Sequence, residues 1–96
     1  MIVRWTTAAM RDRDEIFEYI AQFDSAAADR TDRRFEEAVR RLVNYPLSAR
    51  PGEIPGTREL IPHPSYRIVY QVDSDLVQIL SVLHTSRQWP PVEDES

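Results

Sequence analysis

The order of elements legible in these 96 residues predicts an α+β fold. An amphipathic helical hairpin packs on a mostly antiparallel four-stranded sheet, in the order β-α-α-β-β-β. Three observations carry the prediction. Two consecutive segments in the first half repeat apolar residues at helical spacing, with only a short break between them. Three runs in the second half are rich in β-branched and aromatic residues and are punctuated by turn residues. A short apolar run precedes the first helical segment, and a helical stripe of this kind must bury itself on a sheet.

"IVRW", Ile2 to Trp5, is the first strand. Thr6 and Thr7 follow it with hydroxyls suited to capping a helix. From Ala8 to about Phe23 the residues Ala9, Ile16, Ile20 and Phe23 fall on one stripe. Arg13 lies on that stripe too, where its aliphatic stem can be buried while its charge reaches outward. "FDSAA" breaks the pattern and offers Asp24 or Ser25 as the next cap. The second helix runs from about Ala26 to Asn44, with Ala28, Thr31, Phe35, Ala38, Val39 and Leu42 as its apolar face. Arg30, Arg33, Arg34, Arg40 and Arg41 lie largely off that face and read as solvated charge. The connection is short enough to force an antiparallel hairpin. Pro46 stops the second helix.

"YPLSARPGEIPG", Tyr45 to Gly56, holds three of the seven prolines and both glycines. A turn-rich stretch of this length in a small domain is usually functional or mobile. Three strands follow, over Thr57–Ile61, Tyr66–Val72 and Leu76–His84. "PHP" separates the first two, and "DSD" joins the last two as a hairpin. Residues 1–90 form one domain, and residues 91–96 an acidic tail.

Composition narrows the function. The charged fraction of 29% and apolar fraction of 42% suit a globular domain. There is no cysteine, which excludes a disulfide framework and a thiolate metal site. No apolar run approaches the ~20 residues that cross a bilayer, and the first residues lack the core of a signal peptide. The cytoplasm is the expected compartment, with no membrane partner. The net charge is −4, and Glu93, Asp94 and Glu95 in the tail supply three of the negative charges. All 12 cationic residues are arginine. Guanidinium forks suit phosphates and carboxylates, but a pI near 5.1 gives no general attraction to nucleic acid. The two histidines lack ligand spacing and no Gly-rich phosphate loop is present, so neither metal nor cofactor is expected.

Taken together, "RPGEIPGTREL", "YRIVYQV" and "ILSVLHTSRQWP" are similar to the motifs of the RelE/ParE superfamily, the toxins of type II toxin–antitoxin modules. They occur in the family's order, and the resemblance covers Ile2 to Pro90. It implies a cognate antitoxin as partner. It also implies one of two activities. RelE-like members cleave mRNA in the ribosomal A site. ParE-like members poison DNA gyrase by binding alone. The first is the leading expectation and the second its alternative.

Metal-free RNA cleavage needs a base, an acid and cations placed at the phosphorane. Under the resemblance Arg67 aligns with the strand arginine at the scissile phosphate, and Arg58 with a basic position beside it. Glu53 lies where YoeB-like members carry their base, and would need desolvation against the sheet. His84 is placed as the general acid, having a side chain whose pKa suits that work. Arg87 completes the anion site, and Trp89 and Tyr66 are placed as substrate-binding aromatics. The alternatives are plain: Arg67 paired with Glu59, Glu53 solvated, His84 a satisfied strand-end residue, and Trp89 an apolar lid.

Strand parity governs the Arg67–His84 pairing. If Asp73 pairs with Leu76 across Ser74-Asp75, Arg67 lies opposite Val82 and His84 shares its face. If Val72 pairs with Leu76, Arg67 lies opposite Ser81 and His84 points away, unless a bulge re-aims it.

Overall fold

The computed structural model describes residues 1–91, and all of the expected acidic tail except Pro91 lies outside the described residues. The elements are β1 (Ile2–Trp5), α1 (Thr7–Ala21), α2 (Ser25–Arg41), β2 (Arg50–Pro51), β3 (Thr57–His63), β4 (Tyr66–Asp73) and β5 (Leu76–His84). The sheet has five strands in the order β1-β5-β4-β3-β2, with β1 parallel to β5 and the other pairs antiparallel.

The helices begin where the caps predict. The Thr6 hydroxyl accepts from Ala9 N–H at 3.1 Å, and Asp24 Oδ1 accepts from Ala27 N–H at 3.0 Å. Each satisfies a first-turn amide that has no helical partner. α2 buries Ala28, Thr31, Phe35 and Val39. Its closing residues, Arg40 and Arg41, complement the negative end of its dipole. Arg13 lies between the helices, where it binds Asp32 (2.6 Å) and Glu36 (2.8 Å) and stacks 4.8 Å from the centroid of the Trp5 ring. Phe23 departs from expectation. α1 ends at Ala21, and the side chain is 75% exposed beside Tyr19.

The core lies between the helical hairpin and one face of the sheet. It joins Ala9, Phe35, Val39 and Leu42 to Ile68, Tyr70, Val77, Ile79 and Val82, with Tyr66 and Val72 packed against it. The alternation in β4 is therefore real: Tyr66, Ile68, Tyr70 and Val72 face the helices, while Arg67, Val69 and Gln71 face away.

Two features of the sheet differ from the reading of the sequence. The four-stranded sheet gains a fifth strand, β2, whose two residues pair with Glu59 and Arg58 of β3. Two residues carry no alternation to read, and Pro51 is tolerated because β2 is an edge. The second difference is in the β4–β5 hairpin. Asp73 does pair with Leu76 across Ser74-Asp75, but a bulge follows: Tyr70 pairs with Ile79 and Val69 with Ser81, leaving Leu80 without a partner. Arg67 therefore lies opposite Leu83, and Tyr66 opposite His84. One extra residue moves everything beyond it to the other face.

The β2–β3 turn is tight. Gly52 N–H donates to the Thr57 carbonyl at 2.8 Å, and the Thr57 hydroxyl donates to the Ile54 carbonyl at 2.6 Å. A Cβ on Gly52 would stand 2.4 Å from Thr57 Oγ1. Gly52→Ala is expected to displace that hydroxyl and destabilise the domain by about 1–3 kcal/mol, the ordinary cost of overpacking. Chemical denaturation measures it, and Thr57→Ser in the same background should not recover it, since the hydroxyl is retained.

Candidate functional site

The residues expected to form one catalytic centre lie on both faces of the sheet. Arg67 and Glu59 are on the face away from the helices. They are 7% and 8% exposed, and Arg67 Nη1 donates to Glu59 Oε1 at 2.5 Å. Arg50, from β2, reaches the other oxygen of Glu59 at 3.2 Å. Arg67 Nη2 donates to the backbone carbonyl of Arg87, and its Nε is buried with no hydrogen-bond partner among the described residues. This guanidinium is thus held by a carboxylate and a carbonyl. A phosphate would have to displace Glu59 to use it bidentately.

Arg58 pairs with Tyr70 and so belongs to the helix side. Its Nη1 donates to the carbonyls of Leu47 (3.2 Å) and Ala49 (2.8 Å). Glu53 is exposed in the β2–β3 turn and is not desolvated against the sheet. His84 is exposed on the helix side, where its ring meets Tyr66 edge-on at 5.9 Å. Its Nδ1 accepts from Ser86 N–H at 3.1 Å, which leaves Nε2 to carry the proton of the neutral ring. His84 and Arg67 are therefore on opposite faces, and the bulge at Leu80 is the reason. Tyr66 also meets Phe35 at 5.7 Å and His63 at 5.4 Å. Burial, followed by the charge of Tyr19, raises the pKa of its phenol. Burial and the nearby Arg34 lower that of His63.

Arg87 and Trp89 are brought together elsewhere. They belong to a segment that runs back beside β5. With α1 it encloses an open groove of about 890 Å³, walled by Asp12, Ile16 and Tyr19 on the helix and by Arg87 and Trp89 opposite. The floor is a free sheet edge. β1 stops at Trp5, opposite Ile79, so among the described residues the outer side of β5 beyond Ile79 has no neighbouring strand. Asp12 partly covers it, with Oδ2 accepting from Ser81 Oγ (2.9 Å) and Val82 N–H (3.1 Å). Nothing local marks Asp12 for this role. It is one of several acids on α1, and its partners are about 70 residues away.

Among the described residues no cluster of three or more histidines, cysteines or carboxylates could hold a metal ion, and no helix is long and apolar enough to cross a membrane.

With this geometry in place, similarities to known proteins are informative. Residues 3–89 match the family described as the ParE toxin of the type II toxin–antitoxin system parDE. The chain is 46% identical over 91 residues to the protein Y4kP of Sinorhizobium fredii, covering 94% of each. It is 38% identical over 85 residues to the toxin RelE2 of Caulobacter vibrioides, covering 88% of this chain and 96% of that one. Among solved structures, a chain of the chromosomal ParDE system from P. aeruginosa superposes with a TM-score of 0.76 at 27% identity, covering 88% of this chain and 95% of that one. A YoeB/ParE toxin from Agrobacterium tumefaciens shares the fold, with a TM-score of 0.66 at 17% identity over 88% of this chain and 98% of that one. The α+β architecture and the sequence relationship agree: the chain belongs to the ParE toxin family of type II toxin–antitoxin systems.

Proposed function

We propose that this toxin acts by binding DNA gyrase, and not by cutting mRNA on the ribosome. The order of the two sequence-based readings is thereby reversed. The observation that carries the proposal is the state of Arg67. The guanidinium meant for a phosphate is buried against Glu59 and tied to the Arg87 carbonyl. The proposed acid, His84, stands on the other face, and the proposed base, Glu53, is solvated. Acid–base catalysis needs its groups within reach of one reacting phosphate. Binding has no such requirement. The likeness to a relative named RelE2 is what still supports the nuclease reading.

The family implies a cognate antitoxin. The groove along the free edge of β5 suits an extended peptide, whose backbone can add to the sheet while its side chains enter the groove.

The test is to measure DNA breaks and protein synthesis in one culture after induction without antitoxin. The expected result is early double-strand breaks with intact transcripts, and loss of supercoiling activity when purified toxin meets purified gyrase. Transcripts cut within ribosomes, with translation halting before any DNA damage, would restore the nuclease reading. Growth without inhibition would mean that the chain retains only its antitoxin-binding role.

A further inference from the structure

We infer that the target is engaged by a rigid apolar knuckle, Val43 to Leu47, at the C-terminal end of α2, and that the surface it meets is an acidic patch of a protein. This rests on the reading of action by binding and adds which face of the toxin does it.

Three apolar side chains in this short segment point to solvent. Val43 is 39% exposed, Tyr45 67% and Leu47 62%. Ile54, 40% exposed, stands in the β2–β3 turn. Single exposed apolar residues are ordinary; a run of them is a recognition signal. The backbone beneath them is fixed. Tyr45 N–H donates to the Arg41 carbonyl at 3.0 Å, and Ser48 Oγ donates to the Tyr45 carbonyl at 2.8 Å. The hydroxyl of fully buried Tyr70 donates to the Pro46 carbonyl at 2.7 Å. Arg58 holds the carbonyls of Leu47 and Ala49. Two strand residues thus hold the loop by its backbone and leave Tyr45 and Leu47 free. Such anchors lose little entropy on binding, as energetic hot spots require.

Charge identifies the partner. Arg40, Arg41, Arg50 and Arg58 lie between residues 40 and 58 against a single acid, Glu53, in a chain of net charge −4. The next acid, Glu59, is shared by Arg50 and Arg67 and so offsets only one of those two charges, which leaves Arg40, Arg41 and Arg58 against Glu53. Arg40 and Arg41 border a shallow depression of about 300 Å³ together with Glu37 and Asn44. The knuckle is therefore an apolar centre with an arginine rim, on a molecule that is otherwise acidic. Complementarity calls for carboxylates around an apolar pocket. A nucleic acid would satisfy the arginines but not the aliphatic centre, since bases stack on aromatic faces and only Tyr45 offers one. The knuckle shares no residue with the groove beside β5, so target and antitoxin need not compete for it directly.

The experiment compares wild-type toxin with Tyr45→Ala/Leu47→Ala and with Arg40→Glu/Arg41→Glu. Tyr45→Ala/Leu47→Ala changes exposed side chains and should keep the wild-type thermal midpoint, while Arg40→Glu/Arg41→Glu reverses the charges at the C-terminal end of α2 and should lower it by several degrees without unfolding the domain. Each is expected to restore colony formation on induction by at least about 100-fold at matched protein level, while Arg30→Glu on the same helix does not. With purified gyrase, at least about 10-fold more of either variant is expected for the same inhibition. If wild type arrests growth but leaves gyrase untouched, and the variants do not arrest growth, the knuckle stands and gyrase falls as the target. If wild type and both variants inhibit gyrase equally, the knuckle falls and gyrase stands. Binding of ribosomal RNA by wild type that both variants lose would overturn the assignment to a protein surface.

Discussion

Glu59→Ala is expected to destabilise the domain by about 3–5 kcal/mol, because it leaves a buried arginine without its counter-ion. Arg67 is 7% exposed and its Nε already lacks a partner among the described residues. Among the described residues, removing Glu59 leaves the Arg87 carbonyl alone to answer the charge. In a domain of this size the loss should lower the thermal midpoint by roughly 15 °C or more. Arg50 loses its partner too, but its side chain is 59% exposed, so that term is small. The companion double variant, Glu59→Leu/Arg67→Met, removes both charges and keeps the volume. It should recover most of the stability, since apolar replacement of a buried pair is often neutral or better. Calorimetry on the three proteins checks the series.

The same double variant separates two roles for Arg67. If the arginine serves the fold, the variant folds and remains toxic. If it binds a phosphate in the reaction, the variant folds and is harmless. Arg67→Ala alone cannot make the distinction, because it strands Glu59 as a buried carboxylate. Arg67 also holds the Arg87 carbonyl, and with it the segment that walls the β5 groove. A change in antitoxin affinity without a change in toxicity would place its effect there.

Much of the fold was legible because its signals are local. The caps Thr6 and Asp24, the α2 stripe and the alternation of β4 each lie within one or two turns of sequence. The candidate site was less legible because its geometry is set by one residue. The spacing from Leu76 to His84 looks like an unbroken strand. Nothing local marks Leu80 as the residue without a partner, because the contacts around the bulge come from far away in sequence: Thr6 reaches the carbonyls of Ile79 and Leu80, and Asp12 holds Ser81 and Val82. That shift sends His84 to Tyr66 and away from Arg67. Glu59 was readable as a partner for Arg67, but a sequence cannot tell whether an arginine and a glutamate eight positions apart meet each other or a ligand. Their burial decides it. β2 was hidden for a simpler reason, since a strand of two residues has no period.

Phe35→Ala is expected to cost about 3–5 kcal/mol, the range for emptying a core aromatic. Phe35 is 1% exposed and is the only aromatic of α2, so it carries much of the contact between that helix and the sheet. Its ring meets Tyr66 edge-on at 5.7 Å, a geometry worth about 0.5–1.5 kcal/mol beyond area burial. The neighbours Val39, Leu42 and Ile68 are themselves fully packed, so they can collapse into the vacated volume only in part. Against the usual 5–15 kcal/mol of a single domain this is a large share of the total, and at the low end of that range it leaves the variant substantially unfolded. Phe35→Leu keeps most of the volume and should cost no more than about half as much. Denaturant titration of both variants measures the difference. The pair also tests Tyr66, which Phe35 holds between His63 and His84. If Tyr66 only packs, Phe35→Leu stays fully toxic once its small stability loss is allowed for. If toxicity instead falls far more than stability does, the aromatic cluster touches the target, and Tyr66 joins the functional surface.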